Sequence, residues 1–444
     1  MAKLDDHPTV IRHRQSPAQV PPKVVDAEWL RRLCLEAGAD DVGFVSIGRP
    51  ELDDQREDIL RLYPWTKGLV SIVCKMNREP IRSPARSVAN LEFHHTGDRT
   101  NDVARSIVAA LEDEGHRAVN PSMGFPMEMD HFPDKTWVVS HKPVAVAAGL
   151  GQMGIHHNVI HPKFGNFILL ATILIDAEIS EESSRLDYNP CLECKLCVAA
   201  CPVGSISADG HFDFSACYTH NYREFLGGFG DWVENVVESK NPLDYRRRVS
   251  DSETASVWQS LGFGPNYKAA YCMAVCPAGE DVIGPFLEDR KGFLKAVVDP
   301  LQQKEEETLY VVPGSDAQAH AAKRFPHKRI KPIGNGLRPS SIRGFLESMP
   351  RVFQRNQSEG LAATYHFTFT GQEPTEATVV IQDKTIRVEH GHVGSPNLRV
   401  TADSRAWLGF LRKERSLVWA LLTRKVRLKG PPRLLVAFGK CFPS

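Results

Sequence analysis

Four cysteines follow one another closely in the middle of the chain and end in a Cys-Pro step. Cys191, Cys194, Cys197 and Cys201 have the spacing C-x2-C-x2-C-x3-C, and Pro202 follows directly. This is the run of bacterial ferredoxins, in which three thiolates bind one cluster and the fourth binds a second cluster. Zinc is the alternative, but zinc sites usually combine two separated C-x2-C pairs. The run therefore predicts an iron–sulfur site.

A second, shorter motif supports a paired arrangement. Cys272 is followed at a three-residue gap by Cys276 and Pro277, and both motifs read C-P-x-G. Pseudo-twofold exchange between the motifs predicts two ligand sets. The first thiol group is Cys191, Cys194, Cys197 and Cys276. The second thiol group is Cys201, Cys217 and Cys272.

The second group is one thiolate short. Two four-iron clusters take eight cysteines, and the region from 191 to 276 supplies seven of the ten in the chain. Ala269 occupies the position where the C-x2-C partner of Cys272 would fall. The second cluster is thus either a three-iron cluster or a four-iron cluster with another ligand. The candidate replacements are Tyr271, His220, Cys34, Cys74 and Cys441.

Composition excludes several classes of protein. The chain has 444 residues with 54 basic and 54 acidic side chains, so its net charge makes no electrostatic case for binding nucleic acid. The N-terminus lacks the apolar core of a secretory signal, and unpaired cysteines fit a reducing cytoplasm. The longest apolar run, 164–175, is too short to span a membrane and suits a buried strand. We therefore expect a cytoplasmic protein without a membrane span.

Hydrophobic periodicity divides the chain into an α/β (α+β) multidomain protein. We expect a flexible arm over 1–25 and an α/β domain over 26–180, which includes an amphipathic helix over 101–114. Residues 181–290 form a ferredoxin-like two-cluster domain. The charged, proline-containing stretch 291–340 is interpreted as a solvated linker, with a docking strip for an acidic partner as the alternative. Alternating apolar residues after it predict an α+β domain over 341–444.

Residues 148–176, AGLGQMGIHHNVIHPKFGNFILLATILID, precede the cysteine run, and 92–119 lie upstream of them. Together they resemble the cobalamin-dependent epoxyqueuosine reductases and reductive dehalogenases. The resemblance implies a nitroreductase-like corrinoid-binding domain, with electrons passing from the clusters to cobalt. We expect the cluster of the first thiol group to lie next to the corrinoid. The D-x-H-x-x-G motif of other cobalamin proteins is absent, so a base-off cobalamin is implied.

Several residues are candidates for the cofactor pocket. Gly149, Gly151 and Gly154 would let backbone approach a corrinoid closely, and His94 and His95 are expected on a pocket loop. Two other interpretations of the glycines stay open. The G-x-G-x-x-G spacing is a weak dinucleotide motif, and the segment also suits a tight connection between strand and helix.

A reductive step needs a proton donor near the reduced atom. Asp134 lies close to the position of the aspartate that epoxyqueuosine reductases use. Lys142 matches a lysine of the dehalogenases, and His141 and Asp130 are further candidates. Surface charge is the alternative explanation for each of them.

The C-terminal residues 341–442 resemble the sterol-carrier-protein type of lipid-binding domain, on the stretches YHFTFTG, TIRVEHG, NLRVTADSRAWLGFLR and LTRKVRLKG. The leading hypothesis is a reductase that acts on a small organic or hydrophobic substrate, with an external donor of the ferredoxin or flavodoxin type. The resemblance leaves tRNA open as a substrate. One alternative is a non-catalytic electron carrier or adaptor. Another is a lipid-binding protein whose C-terminal domain delivers a hydrophobic substrate to the redox centre. That alternative predicts a continuous apolar cavity within 341–442, and a tightly filled core there would argue against it.

Overall fold

The computed structural model describes residues 4–15 and 21–443. The N-terminal segment contains a short 3-10 turn, Leu4–Asp6, and the exposed helix α1, Pro8–Gln15. This segment lies within the expected flexible arm, whose end forms a short strand, Val24–Val25, paired with Glu178–Ile179. Residues 1–3 and 16–20 of that arm lie outside the described residues.

A four-stranded antiparallel sheet organises the first domain. Its order is β2-β3-β7-β4, and β3 pairs with both β2 and β7 along its length. The strands of this domain are β1 Val24–Val25, β2 Asp41–Ser46, β3 Gly68–Lys75, β4 Ala118–Val119, β5 Gln152–Met153, β6 Val159–Ile160, β7 Ile168–Ile175 and β8 Glu178–Ile179. The helices are α2 Ala27–Glu36, α3 Arg56–Leu62, α4 Arg78–Arg82, α5 Arg86–Asp113 and α6 His141–Ala147. β7 is the central buried strand expected within 164–175.

Helix α5 is longer than the sequence pattern predicts. Its second half carries the expected apolar face, with Val103, Ile107 and Leu111 buried. Its first half contains few apolar residues, so amphipathic periodicity does not reveal it. Tertiary contacts stabilise that half: the Asn90 side chain donates to the Tyr267 carbonyl and accepts from the Tyr267 amide.

The cysteine region is mainly helical. Its helices are α7 Leu196–Ala200, α8 Phe214–Asn221, α9 Gly227–Glu238, α10 Pro242–Arg248, α11 Asp251–Phe263, α12 Tyr271–Ala274 and α13 Gly284–Glu288. α8 begins at the N-cap Asp213, whose carboxylate accepts from the Ala216 amide, and it carries Cys217. α7 and α12 carry Cys197 and Cys272.

Residues 291–340, interpreted from their charge as a solvated linker, contain folded elements. These are α14 Arg290–Phe293, a π-helical turn Leu294–Val298, α15 Asp299–Gln302, β9 Thr308–Val311, α16 Asp316–Arg324 and β10 Arg329–Pro332. β9 and β10 form a parallel pair. Leu301, Leu309 and Phe325 are buried in the same apolar core as Cys197 and Cys201. The sequence does not reveal this core, because charged residues separate its apolar residues and disrupt the hydrophobic periodicity.

The C-terminal domain is an α+β unit, as expected. Its sheet has the order β13-β12-β11-β14-β15, in which only β11 and β14 are parallel. The strands are β11 Ala363–Thr370, β12 Thr375–Gln382, β13 Thr385–His390, β14 Leu398–Asp403 and β15 Val426–Lys429. The helices are α17 Ile342–Val352, α18 Ser404–Leu411, α19 Leu417–Leu422 and α20 Arg433–Lys440. Tyr365, Phe367 and Phe369 point into a core shared with Trp407.

The mixed helix-and-strand architecture confirms the expected fold class. Among the described residues, no helix is both long enough and apolar enough to cross a membrane.

Candidate functional site: two thiol groups beside a cavity

The structure brings together the cysteines assigned to the first thiol group. Burial, followed by the neighbouring thiols of Cys194 and Cys191, raises the pKa of Cys276 to about 12. Burial also raises the pKa of Cys197, and the thiols of Cys272, Cys276 and Cys194 add to this effect. Cys191 packs against the buried cluster that contains Cys276, and Cys194 packs against the core that contains Cys197. All four are unpaired cysteines rather than disulfides.

The second thiol group also assembles. Burial raises the pKa of Cys217, and the thiols of Cys272 and Cys201 raise it further. Burial and Cys201 raise the pKa of Cys272 to about 12, while the ammonium of Lys142 opposes this rise. Three segments distant in sequence therefore place their thiols side by side.

Hydrogen-bond donors already face several of these sulfurs. The Ile155 amide donates to Sγ of Cys191 over 3.4 Å, and the Ser205 amide donates to Sγ of Cys201 over 3.3 Å. The side-chain amide of Asn158 donates to Sγ of Cys272 over 3.9 Å. N–H donors to cysteine sulfur are a principal means by which proteins tune iron–sulfur clusters. The donor set therefore fits thiolate-bound iron.

Within residues 4–15 and 21–443, no three His, Cys, Asp or Glu side chains converge closely enough to hold a single metal ion.

The candidate eighth ligands have different surroundings. The Tyr271 hydroxyl donates to Glu307 over 2.8 Å. The Nδ1 of His220 accepts from the Tyr310 amide, which places its other nitrogen toward Glu307. The remaining three candidates lie in other cores, with Cys34 and Cys74 beside the first sheet and Cys441 in the C-terminal domain. Among the described residues, His220 is the candidate that lines the same cavity as the three thiols with a ring nitrogen, Nε2, that has no hydrogen-bond partner.

A cavity of about 940 Å³ lies against the second thiol group. Its wall includes Cys201, Cys217 and Cys272 but no member of the first thiol group. We expected the first thiol group to lie next to the cofactor pocket. The second thiol group lines the cavity instead. The reason is local: α8 and α12 carry Cys217 and Cys272 to the cavity. In the first group, Cys191 and Cys194 lie near the exposed residues Leu192 and Glu193.

Lys142 is the charged residue closest to the second group in the cavity wall. Its ammonium donates to the His157 carbonyl over 2.6 Å and to Oδ1 of Asn158 over 2.9 Å. Lys142 is an exposed residue that lines the cavity wall. Burial lowers the pKa of Lys142, and the thiols of Cys272 and Cys217 oppose this shift. A lysine in such surroundings is well suited to donate a proton.

The other proton-donor candidates have different environments. His141 lies in the cavity wall, but its Nε2 donates to the Ser122 carbonyl and its Nδ1 accepts from Thr172. Burial lowers the pKa of His141, so it stays neutral. Asp134 is absent from this wall, and its carboxylate accepts from the hydroxyls of Ser340 and Ser341. Asp134 thus contacts the start of the C-terminal domain, and Asp130 lies on the exposed turn before it.

The glycines and the paired histidines do not line the cavity. Gly149 has φ of +72°, and a side chain there would meet the Ser184 carbonyl at 2.3 Å. Gly151 and Gly154 likewise lie against Ile160. His94 and His95 lie on α5 rather than on a loop. The glycine segment therefore fits the interpretation of a tight connection, here after α6.

Two residues of the site were not singled out from the sequence. Asn158 joins Lys142 to Cys272, and Arg86 lies over the Tyr271 ring at 5.4 Å with two guanidinium nitrogens unpaired. Neither belongs to a motif. Only the three-dimensional arrangement of the thiols identifies them.

These features describe a site of the redox type, in which unpaired cysteine thiols suited to bind iron lie beside a ligand-sized cavity. Comparison with known proteins agrees with this class. Residues 348–443 match the SCP-2 sterol transfer family, so the C-terminal domain is of that type. Several curated relatives that match part of the chain are named epoxyqueuosine reductase.

One such relative, from Cellulophaga algicola, is 23% identical over 238 residues, which cover 47% of this chain and 74% of the relative. Another, from Vibrio cholerae, is 28% identical over 26% of this chain and 27% of the relative. A third, from Staphylococcus aureus, is 33% identical over 18% of this chain and 21% of the relative. The chain thus spans about three quarters of the first relative and only about a quarter of the second. These relatives support an oxidoreductase and confirm the resemblance found in the sequence.

Solved structures with partial similarity belong to the same groups. A catabolic reductive dehalogenase is 17% identical with a TM-score of 0.39, covering 68% of this chain and 37% of its own. Epoxyqueuosine reductase from Bacillus subtilis is 18% identical with a TM-score of 0.30, covering 43% and 55%. Palmitated SCP2L2 from Aedes aegypti is 18% identical with a TM-score of 0.19, covering 22% and 94%.

Proposed function

We propose that this chain is an iron–sulfur oxidoreductase that reduces a small organic substrate in the 940 Å³ cavity, which we call the first cavity. The observation that carries the proposal is the placement of Cys201, Cys217 and Cys272 in the cavity wall. A cluster bound there would lie next to any molecule in the cavity. The carrier or adaptor hypothesis has no use for such a cavity, so the geometry favours the reductase.

Electrons would enter at the first thiol group. Cys191 and Cys194 are partly exposed, and Leu192 between them is 49% exposed. An external donor of the ferredoxin or flavodoxin type could approach this edge. Cys272 couples electrostatically to Cys276 and Cys197 as well as to Cys201. The second group would therefore receive electrons from the first and deliver them to the cavity.

The first cavity also fits part of a corrinoid. A corrin ring is flat and mostly apolar, and apolar and aromatic residues such as Leu169, Phe212 and Tyr222 dominate the wall. His156 lies in the wall, but the Asn158 amide and the Asn166 side chain contact its two ring nitrogens. His141 is engaged as well, while His157, His211 and His220 also lie in the wall. A base-off corrinoid stays part of the proposal, because the D-x-H-x-x-G motif is absent from the sequence. When bound, a corrinoid supplies a cobalt centre that transfers electrons to carbon.

Lys142 would supply the proton. Its two acceptors, the His157 carbonyl and Oδ1 of Asn158, direct the ammonium along the cavity wall near Cys272. Burial makes the charged form less stable, which favours proton donation to a substrate that gains electrons. Asp134, in contrast, contacts the C-terminal domain and would not reach this position.

The names of the relatives suggest epoxyqueuosine as one substrate for this chain. The C-terminal domain, however, contributes Pro350 and Arg351 to the wall of the first cavity. A wall built partly from an SCP-2 domain suits a small organic or hydrophobic molecule. The balanced charge of the chain provides no general attraction for tRNA. We therefore propose a small molecule as the substrate.

Anaerobic purification followed by iron, sulfide and cobalt quantitation tests this function. We expect iron and acid-labile sulfide in the as-isolated protein, and a corrinoid spectrum after reconstitution with cobalamin. EPR should then show cobalt(II) beside reduced clusters. Iron and sulfide without any corrinoid uptake would refute the cofactor assignment, and protein without iron would refute the function.

A further inference from the structure

Two arginines lie against the segment that supplies one thiol to each thiol group. This segment is the short helix α12, which carries Cys272 of the second group, and the residues that follow it as far as Cys276 of the first group. Arg82 is the last residue of α4, and Arg86 is the first residue of α5. The chain therefore brings two cations to the part of the molecule where the two thiol groups are nearest in sequence.

Arg86 contacts the start of α12. Its guanidinium carbon lies 5.4 Å from the centre of the Tyr271 ring, and Tyr271 directly precedes Cys272. Nη1 of Arg86 donates to the Ser83 carbonyl over 3.3 Å, whereas Nε and Nη2 are buried without a hydrogen-bond partner. Folded proteins rarely leave buried donors unpaired, so these two nitrogens indicate an acceptor that binds close to them.

Arg82 contacts the end of α12. Its Nε donates to the Ala274 carbonyl over 3.4 Å, and its guanidinium carbon lies 5.3 Å from the centres of the Phe167 and Phe293 rings. Its Nη1 pairs with the exposed Glu79, while Nη2 is buried without a hydrogen-bond partner. Only 9% of the Arg82 side chain is exposed. Arg82 is thus a second, mostly buried cation beside the same helix.

No carboxylate of the described residues forms an ion pair with Arg86. The Tyr271 hydroxyl donates to Glu307, but that carboxylate already contacts the ammonium of Lys328. Burial does not neutralise the guanidinium, since arginine keeps its charge in proteins. This region therefore contains a buried positive charge without a protein counter-charge in contact with it.

The chemistry of a thiolate-bound cluster supplies such a counter-charge. The reduction potential of an iron–sulfur cluster depends on its net charge, on hydrogen bonds to its sulfurs and on its exposure to solvent. Reduction adds one negative charge, and a nearby cation in a poorly solvated region stabilises that charge strongly. Burial lowers the pKa of both arginines. The Cys272 thiol opposes this shift at Arg86, and the Cys276 thiol opposes it at Arg82.

We infer that Arg86 raises the reduction potential of the cluster bound by the second thiol group, and that Arg82 raises that of the cluster bound by the first. Each arginine acts as a buried cation that stabilises the reduced form. Reduction takes one electron from the external donor and changes no bond or proton at either arginine. This inference rests on the proposed function because it requires both clusters, but it does not depend on the substrate or on the corrinoid.

An EPR-monitored redox titration of the iron-loaded protein tests the inference. For Arg86→Gln, we expect the reduced form of the second cluster to be stabilised at least tenfold less. This change corresponds to a potential about 59 mV lower for one electron. The potential of the first cluster should change less. Arg82→Gln should give the opposite pattern, and the exposed Arg105→Gln on α5 is the control. Cys217→Ala, which removes a thiol of the second group only, assigns the EPR signals.

A charge-retaining variant distinguishes electrostatics from a structural role. Arg86→Lys should hold iron, and its second cluster should have a potential closer to that of wild type than Arg86→Gln does. Loss of iron from Arg86→Lys would assign Arg86 a purely structural role and overturn the inference. Unchanged potentials in both glutamine variants would overturn it as well. Equal shifts of both clusters in each variant would refute the assignment of one arginine to each cluster.

Iron and sulfide content and the rate of substrate reduction, measured on the same samples, separate this inference from the proposed function. Wild-type protein with clusters whose potentials do not respond to the two arginines would refute the inference and leave the oxidoreductase in place. Clusters whose potentials shift as expected, in a protein that reduces no substrate and binds no corrinoid, would refute the reductase and leave the inference in place.

Discussion

The ammonium of Lys142 donates a hydrogen bond to Oδ1 of Asn158 over 2.9 Å. The other side-chain atom of Asn158, Nδ2, donates to Sγ of Cys272. A single amide therefore connects the proposed proton donor with the thiol group beside the first cavity. Proton and electron delivery would then depend on the same short chain of contacts.

Replacing Lys142 with methionine should lower the rate of substrate reduction about 100-fold or more, because a positioned general acid contributes about 10²–10⁴-fold. Iron and sulfide content should be unchanged. Single-turnover kinetics with chemically reduced protein provide the measurement. Lys163→Met, which removes an exposed lysine from the same domain, is the control. A normal rate in Lys142→Met would assign the proton to another group.

Introducing a cysteine at Ala269 should complete the second thiol group. Ala269 is buried in the first cavity wall, and its amide donates to Asn221 over 2.9 Å. We expect Ala269→Cys to gain about one iron atom per chain, since an eighth thiolate completes a second four-iron site. The EPR signal of a three-iron cluster, where wild type shows one, should disappear. Ala270→Cys places a thiol one residue away, and the same gain there would contradict a specific ligand position.

Removing the charge of Lys328 should destabilise the fold strongly. Its ammonium contacts Glu307, and both side chains are buried, at 0% and 6% exposure. Although burial opposes it, contact with His220 and Lys328 lowers the pKa of Glu307 to about 2. Lys328→Met leaves this carboxylate without its cation, which costs about 3–5 kcal/mol of unfolding free energy. Thermal unfolding of the iron-loaded protein measures the loss. The exposed Lys323→Met should change the stability very little. Equal stability of both variants would show that the buried Lys328–Glu307 pair does not stabilise the fold.

Asp213 makes stability depend on pH. Burial raises the pKa of Asp213 to about 6, despite hydrogen bonds from Ala216 and Gln354. The folded-state pKa lies above the unfolded value near 3.9, so the folded state binds the proton more tightly. The stability this gives is present at low pH and is lost as the pH rises through about 6.

Asp213→Asn retains an oxygen for the Ala216 amide and cannot ionise. Its unfolding temperature relative to wild type should therefore be higher at pH 7.5 than at pH 5. Asp213→Ala also loses the helix cap and should be about 1 kcal/mol less stable than Asp213→Asn at both pH values. A pH-independent difference between Asn variant and wild type would show that Asp213 does not titrate in this range.

The sequence by itself determined the elements whose chemistry or periodicity is local. The C-x2-C-x2-C-x3-C run and Cys276 indicate thiolate ligands. The short gaps between successive cysteines let several thiols of one chain segment reach the same cluster. The alternation of Tyr365, Phe367 and Phe369 predicts a strand with one buried face, and β11 has that form. The missing thiolate at Ala269 is likewise visible in the sequence alone.

Tertiary structure decided what depends on contacts between distant segments. It placed the second thiol group at the first cavity and Asn158 beside Lys142. It also placed Asp134 in contact with the start of the C-terminal domain. It also packed Leu309 and Phe325 into the core with Cys201. None of these relations has a local pattern, because each arises where segments far apart in sequence bury apolar surface against one another. A cavity of about 770 Å³ follows from the same packing, since Phe214 of the cysteine region and Phe345 and Trp407 of the C-terminal domain all line it.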